Sequence, residues 1–246
     1  MTQNYRLTIE YDGGAFHGWQ KQKDHRTVQG EIEAALQIMT GRKTVINGSG
    51  RTDAGVHAYG QVANFNSEAG FDPQVFLRGL NSLLPKDVVI QDCRSVDEHF
   101  HARYDVKRKC YEYRILNREV PSPLLRRRVW FVRQKLDVRA MMSAARTIVG
   151  SHDFKSFEGS GSPRSSSIRN VFKAELQQTD TAVLVFRIEA DGFLRFMVRN
   201  IVGTLVDVGR GKLSAKMFAQ ILAAGDRGLA GATAPPQGLY LMRVVY

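Results

Sequence analysis

Between Asn47 and Phe65 the sequence runs NGSGRTDAGVHAYGQVANF, and in it a carboxylate, Asp53, stands two residues after a guanidinium, Arg51, with His57 four residues further on. Gly48, Gly50 and Gly55 punctuate the same stretch. These groups suit a reaction. Glycines reach backbone angles closed to other residues and let a substrate backbone approach, while a neighbouring cation keeps a carboxylate ionised. An ionised aspartate can act as nucleophile or as base. The same residues also read as plain turn material, with Arg51 and Asp53 as a brace and His57 as a structural imidazole. The loop by itself leaves both readings open.

Such a loop has to hang on rigid elements. Val45-Ile46 leads in, and Gln61 to Phe65 reads as the returning strand. Upstream, Tyr5 to Tyr11 alternates, with Leu7, Ile9 and Tyr11 on one side, and the strand ends at the Asp12-Gly13-Gly14 turn. In Phe16-His17-Gly18-Trp19-Gln20 an exposed His and Trp could stack on a base, but a Trp so close to a strand reads as core. Thr27 caps a helix carrying Val28, Ile32, Ala35, Leu36 and Met39 on one side, and Gly41 stops it. Asp72-Pro73 opens a second helix with Phe76, Leu80, Leu83 and Leu84 as its buried stripe, ending before Pro85, and Val88 to Asp92 is a strand. Strand, helix, strand, strand, helix, strand is the order of a ferredoxin-like or RNA-recognition-motif-like unit, which offers an open sheet face to a ligand.

The remainder repeats that order without a close sequence repeat. Cys110 to Leu116 is a strand preceded by the basic and aromatic runs His99 to Arg103 and Lys107 to Lys109, a mixture suited to bases and phosphates or to a solvated edge. His99 and His101 share a face of a strand-like segment, but without a third ligand no metal site follows. Arg126-Arg127-Arg128 lies in a loop opened by Pro121 and Pro123. Its arginines either reach phosphates or are simply solvated. Asp137 caps a third helix with Met141, Met142, Ala145, Ile148 and Val149 buried and Gly150 as its stop, and Glu158 to Ser167, EGSGSPRSSS, is a flap or an idle connection. Val171 to Leu176 and Ala182 to Glu189 are strands, Phe196 to Val208 a buried helix, Ser214 to Ala224 a last helix and Gly238 to Tyr246 a last strand. An arginine, Arg199, at the start of a buried helix needs a carboxylate partner or a cleft to point into. The expected organisation is two similar units, 1–103 and 104–246, with sheets edge to edge and a cleft between.

Composition points to the partner. The 246 residues contain 35 Lys and Arg against 24 Asp and Glu, a net +11, which suits a polyanion, nucleic acid before membrane. Cys93 and Cys110 lack C-x-x-C spacing, so neither a zinc site nor a disulfide framework is indicated and a reducing cytoplasm is expected. No signal-like or membrane-spanning run is present in the sequence.

Taken together, Gly50-Arg51-Thr52-Asp53-Ala54-Gly55-Val56-His57-Ala58, Lys109-Cys110-Tyr111-Glu112-Tyr113, Met197-Val198-Arg199-Asn200-Ile201-Val202-Gly203 and Gly238-Leu239-Tyr240-Leu241 resemble the tRNA pseudouridine synthase A family over nearly the whole chain. The resemblance implies the α+β pseudouridine synthase fold, two ferredoxin-like subdomains sharing a central antiparallel sheet with helices on the outer face and a basic cleft. It implies a cytoplasmic homodimer that isomerises uridine to pseudouridine in the anticodon stem-loop of tRNA, at positions 38, 39 and 40, without metal or other cofactor. Carried over, Asp53 is the catalytic carboxylate and Arg199 its ion partner. Tyr111, chosen over Tyr113 on the K-x-Y spacing, stacks on the target base, Leu239 lines the pocket, and Arg51 and His57 complete the substrate-binding loop. Arg126 to Arg128 and the loop around Ser160 carry no motif of the family.

Two other functions compete. A non-catalytic RNA-binding module would share the charge and the sheet faces, but a carboxylate in a phosphate-binding cleft repels the ligand, so Asp53 speaks against it. A metal-dependent nuclease needs two or more carboxylates near the reacting phosphate, and Asp53 has Arg51 and His57 as neighbours in sequence.

Overall fold

Alternation makes the first strand: in β1 (Gln3–Tyr11) the residues Tyr5, Leu7, Ile9 and Tyr11 all point to one face and all are buried. We describe residues 2–161 and 166–246 from a computed structural model; Ser162 to Ser165, inside the expected flap, lie outside the described residues. The chain divides into one unit of Met1–Lys107 with Tyr240–Tyr246 and a second of Arg108–Leu239.

In the first unit, α1 (Val28–Thr40) starts on the Thr27 side chain, which accepts from Gly30 N–H, and ends on Gly41 in the left-handed region. Asn47–Gly48 is a two-residue strand, β2, and β3 (His57–Ser67), α2 (Pro73–Leu83) and β4 (Val88–Val96) follow. β1 lies between β3 and β4, antiparallel to both, while β2 pairs with one stretch of β3. This is the ferredoxin-like order. The Tyr5 ring stacks on Phe65 at 5.3 Å and meets Phe76 of α2 edge-on at 4.8 Å, so α2 covers the face that β1 buries. Leu83, expected on the buried stripe of α2, is instead exposed, because it is the last residue of the helix and lies past the turns on which Phe76 and Leu80 are buried.

The strand that carries His57 is longer than its apolar alternation suggests. It begins at His57 instead of Gln61, because Tyr240 and Leu241 of the strand Leu239–Val245 (β10, the tenth in chain order) pair in parallel with His57 and Ala58. His99 and His101 are not on a strand. The side chains of Asp97 and Asp105 accept from the backbone N–H groups of His99 and His101 and fold the segment into turns instead.

In the second unit, β5 (Arg108–Asn117) pairs in parallel with β6 (Trp130–Val132) and antiparallel with β9 (Val183–Ala190). β8 (Ile168–Gln178) follows beside β9, and β7 (Gly150–Asp153) beside β8. The helices are α3 (Val138–Arg146), α4 (Met197–Gly209) and α5 (Ala215–Ala224). Asp137 and Ser214 cap α3 and α5 as expected. α3 stops earlier than Gly150, because the Thr147 hydroxyl donates back to Ala144 O and Gly150, at φ +106°, already opens β7. Val149 is accordingly exposed. No helix among the described residues is long and apolar enough to cross a membrane.

Candidate active site

Asp53 is half-buried in the segment that joins β2 to β3, and nearly every peptide of that segment is tied down. Ser49 N–H donates to Val62 O at 2.7 Å, the Ser49 hydroxyl and Gln61 Oε1 lie 2.6 Å apart, and Gln61 Nε2 donates to Gly50 O at 2.9 Å. The Thr52 carbonyl accepts from Trp19 N–H at 3.1 Å, and its hydroxyl shares a buried hydrogen bond of 2.8 Å with the Tyr11 hydroxyl. Burial pushes the Tyr11 phenol well above its ordinary pKa, which keeps that pair neutral. Beyond Asp53, Gly55 N–H donates to Phe16 O and Val56 N–H to Asp53 O. The loop is therefore preorganised on a floor made by residues 16–20 and on the first residues of β3.

Two glycines are required for this close approach. A Cβ on Gly48 would lie 2.5 Å from the indole nitrogen of Trp19. One on Gly18, whose φ is +89°, would lie 2.5 Å from the Thr52 carbonyl oxygen. Trp19 is core, as its position after the strand suggests, and it is this packing that brings the two loops into contact.

Arg51 is exposed and its Nε donates to Gln20 Oε1 at 3.0 Å. Gln20 in turn donates to Gln29 Oε1, and Gln29 to Glu33 Oε1, so a chain of hydrogen bonds connects the loop cation to two buried polar residues of α1. His57 is 1% exposed and its ring stacks on Tyr240 at 4.8 Å. Its Nδ1 accepts from Gly13 N–H at 3.1 Å and lies 2.9 Å from Asp12 Oδ1. The ring thus joins the turn after β1 to the start of β3.

The remaining expected residues belong to the second unit. Tyr111, on β5, is 7% exposed and packs edge-on against Phe193 at 4.9 Å. Tyr113, two residues along and so on the same face, is fully buried and donates its hydroxyl to Pro235 O at 2.7 Å. Arg199, in the first turn of α4, donates from Nε to Ala234 O at 2.8 Å, and its guanidinium carbon lies 4.9 Å from the ring centre of Phe196. Leu239 is buried at the start of β10.

Sequence reasoning missed what surrounds Arg199. Asn200 is wholly buried, with Nδ2 donating to Phe157 O and Oδ1 accepting from the Thr233 hydroxyl at 2.6 Å and from Arg227 at 3.1 Å. The Thr204 hydroxyl accepts from Gly231 N–H at 2.9 Å. A Cβ on Gly203 would meet Ala232 O at 1.8 Å. Arg199, Asn200, Gly203 and Thr204 thus hold the segment 227–234 against one face of α4. Asn200, Gly203 and Thr204 at helical spacing on a largely apolar helix were the available signal.

The model of a family described as tRNA pseudouridine synthase matches residues 7–105 and 144–246. A relative named tRNA pseudouridine synthase A from Acetivibrio thermocellus is 48% identical over 244 residues, 99% of this chain and 100% of its own length. Relatives of the same name from Thermoanaerobacter sp. and Citrifermentans bemidjiense are 43% and 44% identical, each over 99% of this chain. The braced aspartate loop and the polar face of α4 both fall within the matched spans, and the chain belongs to the tRNA pseudouridine synthase family.

Proposed function

We propose that this protein isomerises uridine to pseudouridine in tRNA, with the anticodon stem-loop as its target and Asp53 as the catalytic carboxylate. The reaction breaks the bond from N1 to C1′, turns the base, and joins C5 to C1′. The proton on C5 leaves, N1 gains one, and no atoms or electrons are exchanged overall. A positioned carboxylate is the group such a reaction asks for, as nucleophile or base. The observation that carries the reading is the loop itself: Asp53 stands half-buried on a backbone fixed from Ser49 to Val56. Fixing a reacting group in this way is where most of the rate of a positioned reaction comes from.

In this proposal Arg199 is the cation that pairs with Asp53, Tyr111 stacks on the turned base and Leu239 lines its pocket. Stacking offsets the few kcal/mol needed to unstack the target. The hydrogen bond of Tyr113 to Pro235 supports the choice of Tyr111, because it commits Tyr113 to the protein. His57 and Arg51 hold the ends of the loop. The protein acts in the cytoplasm as a homodimer that grips one tRNA across both protomers, since the target lies in a large folded RNA. Light scattering that gives a monomer at concentrations where the protein is active would remove the dimer from the proposal.

Asp53→Ala tests the core of it. With an unmodified tRNA transcript, pseudouridine formation should disappear while tRNA affinity stays within about tenfold, or about 1.4 kcal/mol. Turnover near the wild-type rate would refute the assignment, and joint loss of folding and binding would make Asp53 a turn brace.

A further inference from the structure

In the second unit a pocket of about 230 Å³ opens beside the arginine loop, with Leu116, Pro121, Arg126, Trp130, Phe131 and Gln237 among its walls. It is smaller than the roughly 300–1,000 Å³ of pockets for drug-sized ligands, so one planar group fits it better than a folded segment. Two of those walls are aromatic, Arg126 contributes a cation, and Gln237 an amide that can both donate and accept. The surrounding charge is predominantly positive. Between residues 116 and 135, Arg118, Arg126, Arg127, Arg128, Arg133 and Lys135 are all exposed, and the same stretch of sequence has one acid, Glu119.

The wall is built, not loose. Asn117 donates to Val132 O and Gln134 O and accepts from Leu136 N–H, clamping the two ends of the loop together. Within the loop, the Arg118 guanidinium donates to Val120 O and Pro121 O, and Leu125 N–H to the Ser122 hydroxyl. The Trp130 ring is seated edge-on against Tyr113 at 6.3 Å. An aromatic ring with cations beside it is how single-stranded nucleic acid is held: bases stack and phosphates meet charge.

We propose that this pocket is a second nucleotide-binding site, which takes one unpaired base of the substrate RNA against the Trp130 ring while Arg126 and Arg127 hold the adjoining phosphates. It rests on the reading that the substrate is RNA. A second copy of this chain is the disfavoured occupant, because the arginines would meet their own like charge across a two-fold axis. Gln237 is two residues from Leu239, so a base held here lies on the same stretch of chain as the proposed target pocket.

Tryptophan emission reads the site directly. The chain has two tryptophans, and Trp19 is buried, so quenching by neutral acrylamide reports on Trp130. A short oligocytidylate, which offers no uracil to Asp53, should shield Trp130, and a duplex of the same length should not. Arg126→Ala with Arg127→Ala, both on the surface, should weaken the shielding by about tenfold. Trp130→Leu, followed by polarisation of a labelled oligonucleotide, should lose about the same, the equivalent of one stack at about 1.4 kcal/mol. Undiminished shielding in the double variant, equal shielding by duplex, or shielding that rises with protein concentration alone would each overturn the site. A wild-type protein that makes pseudouridine yet leaves Trp130 open to acrylamide fails this proposal alone. One that shields Trp130 and makes none fails the proposed function alone.

Discussion

Gly18 lies under the Asp53 loop, and if Asp53 is the reacting carboxylate as proposed, replacing Gly18 with alanine should damage turnover far more than binding. The added carbon would sit 2.5 Å from Thr52 O and 3.2 Å from both Ala54 N and Asp53 C, with the residue at φ +89°. Backbone atoms cannot swing aside as a side chain does, so the peptides around Asp53 must lift by about 0.8 Å to reach ordinary contact. A misplacement of about 1 Å at a reacting group is worth about 100-fold in rate, so kcat should fall by about 30- to 100-fold. Overpacking and left-handed strain together should cost about 2–3 kcal/mol, which lowers Tm by about 4–12 °C for a chain of this size. The assay is tritium release from tRNA labelled at uracil C5, since that hydrogen leaves when C5 joins the sugar. Gly41→Ala is the control. It has φ +70° and no atom within 4 Å of the new Cβ, so it carries the strain without the crowding and should leave kcat within about twofold. A Gly18→Ala protein that is folded at the assay temperature, binds tRNA and keeps kcat within about threefold of wild type would refute the reasoning.

Three further outcomes follow from the same geometry. Burial, and then the charge of Asp92, push the Cys93 thiol up to about 12, so native protein at pH 8 should leave Cys93 unlabelled by iodoacetamide until it is unfolded, as peptide mass spectrometry would read. Because the folded value lies above the unfolded one, this thiol's stabilising contribution is complete below about 9 and is lost as pH rises toward 12. Asn200→Ala strands the buried Phe157 carbonyl, takes an acceptor from Arg227 and Thr233, and should lower the unfolding free energy by about 2–4 kcal/mol in a urea titration with unchanged slope. Replacing Arg126, Arg127 and Arg128 together by alanine should flatten the log–log salt dependence of tRNA binding by up to about two units, and an unchanged slope would return them to simple solvation.

Much of the positioning machinery could be read from residue types, and the failures have physical causes. Caps at Thr27, Asp72, Asp137 and Ser214 were legible because capping is a local hydrogen bond. The role of Trp19 as core followed from its place after a strand. The early start of β3 was hidden because His57 and Ala58 pair with Tyr240 and Leu241, from the far end of the sequence, and Ala58 meets Tyr11 only past a register shift. The turns at His99 and His101 were missed because two aspartate side chains compete successfully with a strand ladder for the same amides. At the candidate site, the motif singles out Asp53. The residues that hold its loop, Tyr11, Gln61 and Trp19, make their contacts across the fold and leave no local spacing to find.

The parallel pairing of β10 with β3 makes the first unit discontinuous in the chain. Tyr240 stacks on both His57 and Tyr59, the Tyr246 hydroxyl donates to Ala102 O, and Lys107 N–H donates to Val245 O. A nascent chain on the ribosome can therefore build β1, β3 and β4 early but must wait for the whole of the second unit's sequence before β3 gains this neighbour. Until then the start of β3 presents bare amides and an uncovered imidazole, the kind of edge that recruits chaperones or other chains. For the same reason no single cut separates the two units. A fragment ending at Lys107 lacks the strand that covers His57, so an attempt to dissect the protein should carry residues 240–246 across on a linker, as a circular permutation would.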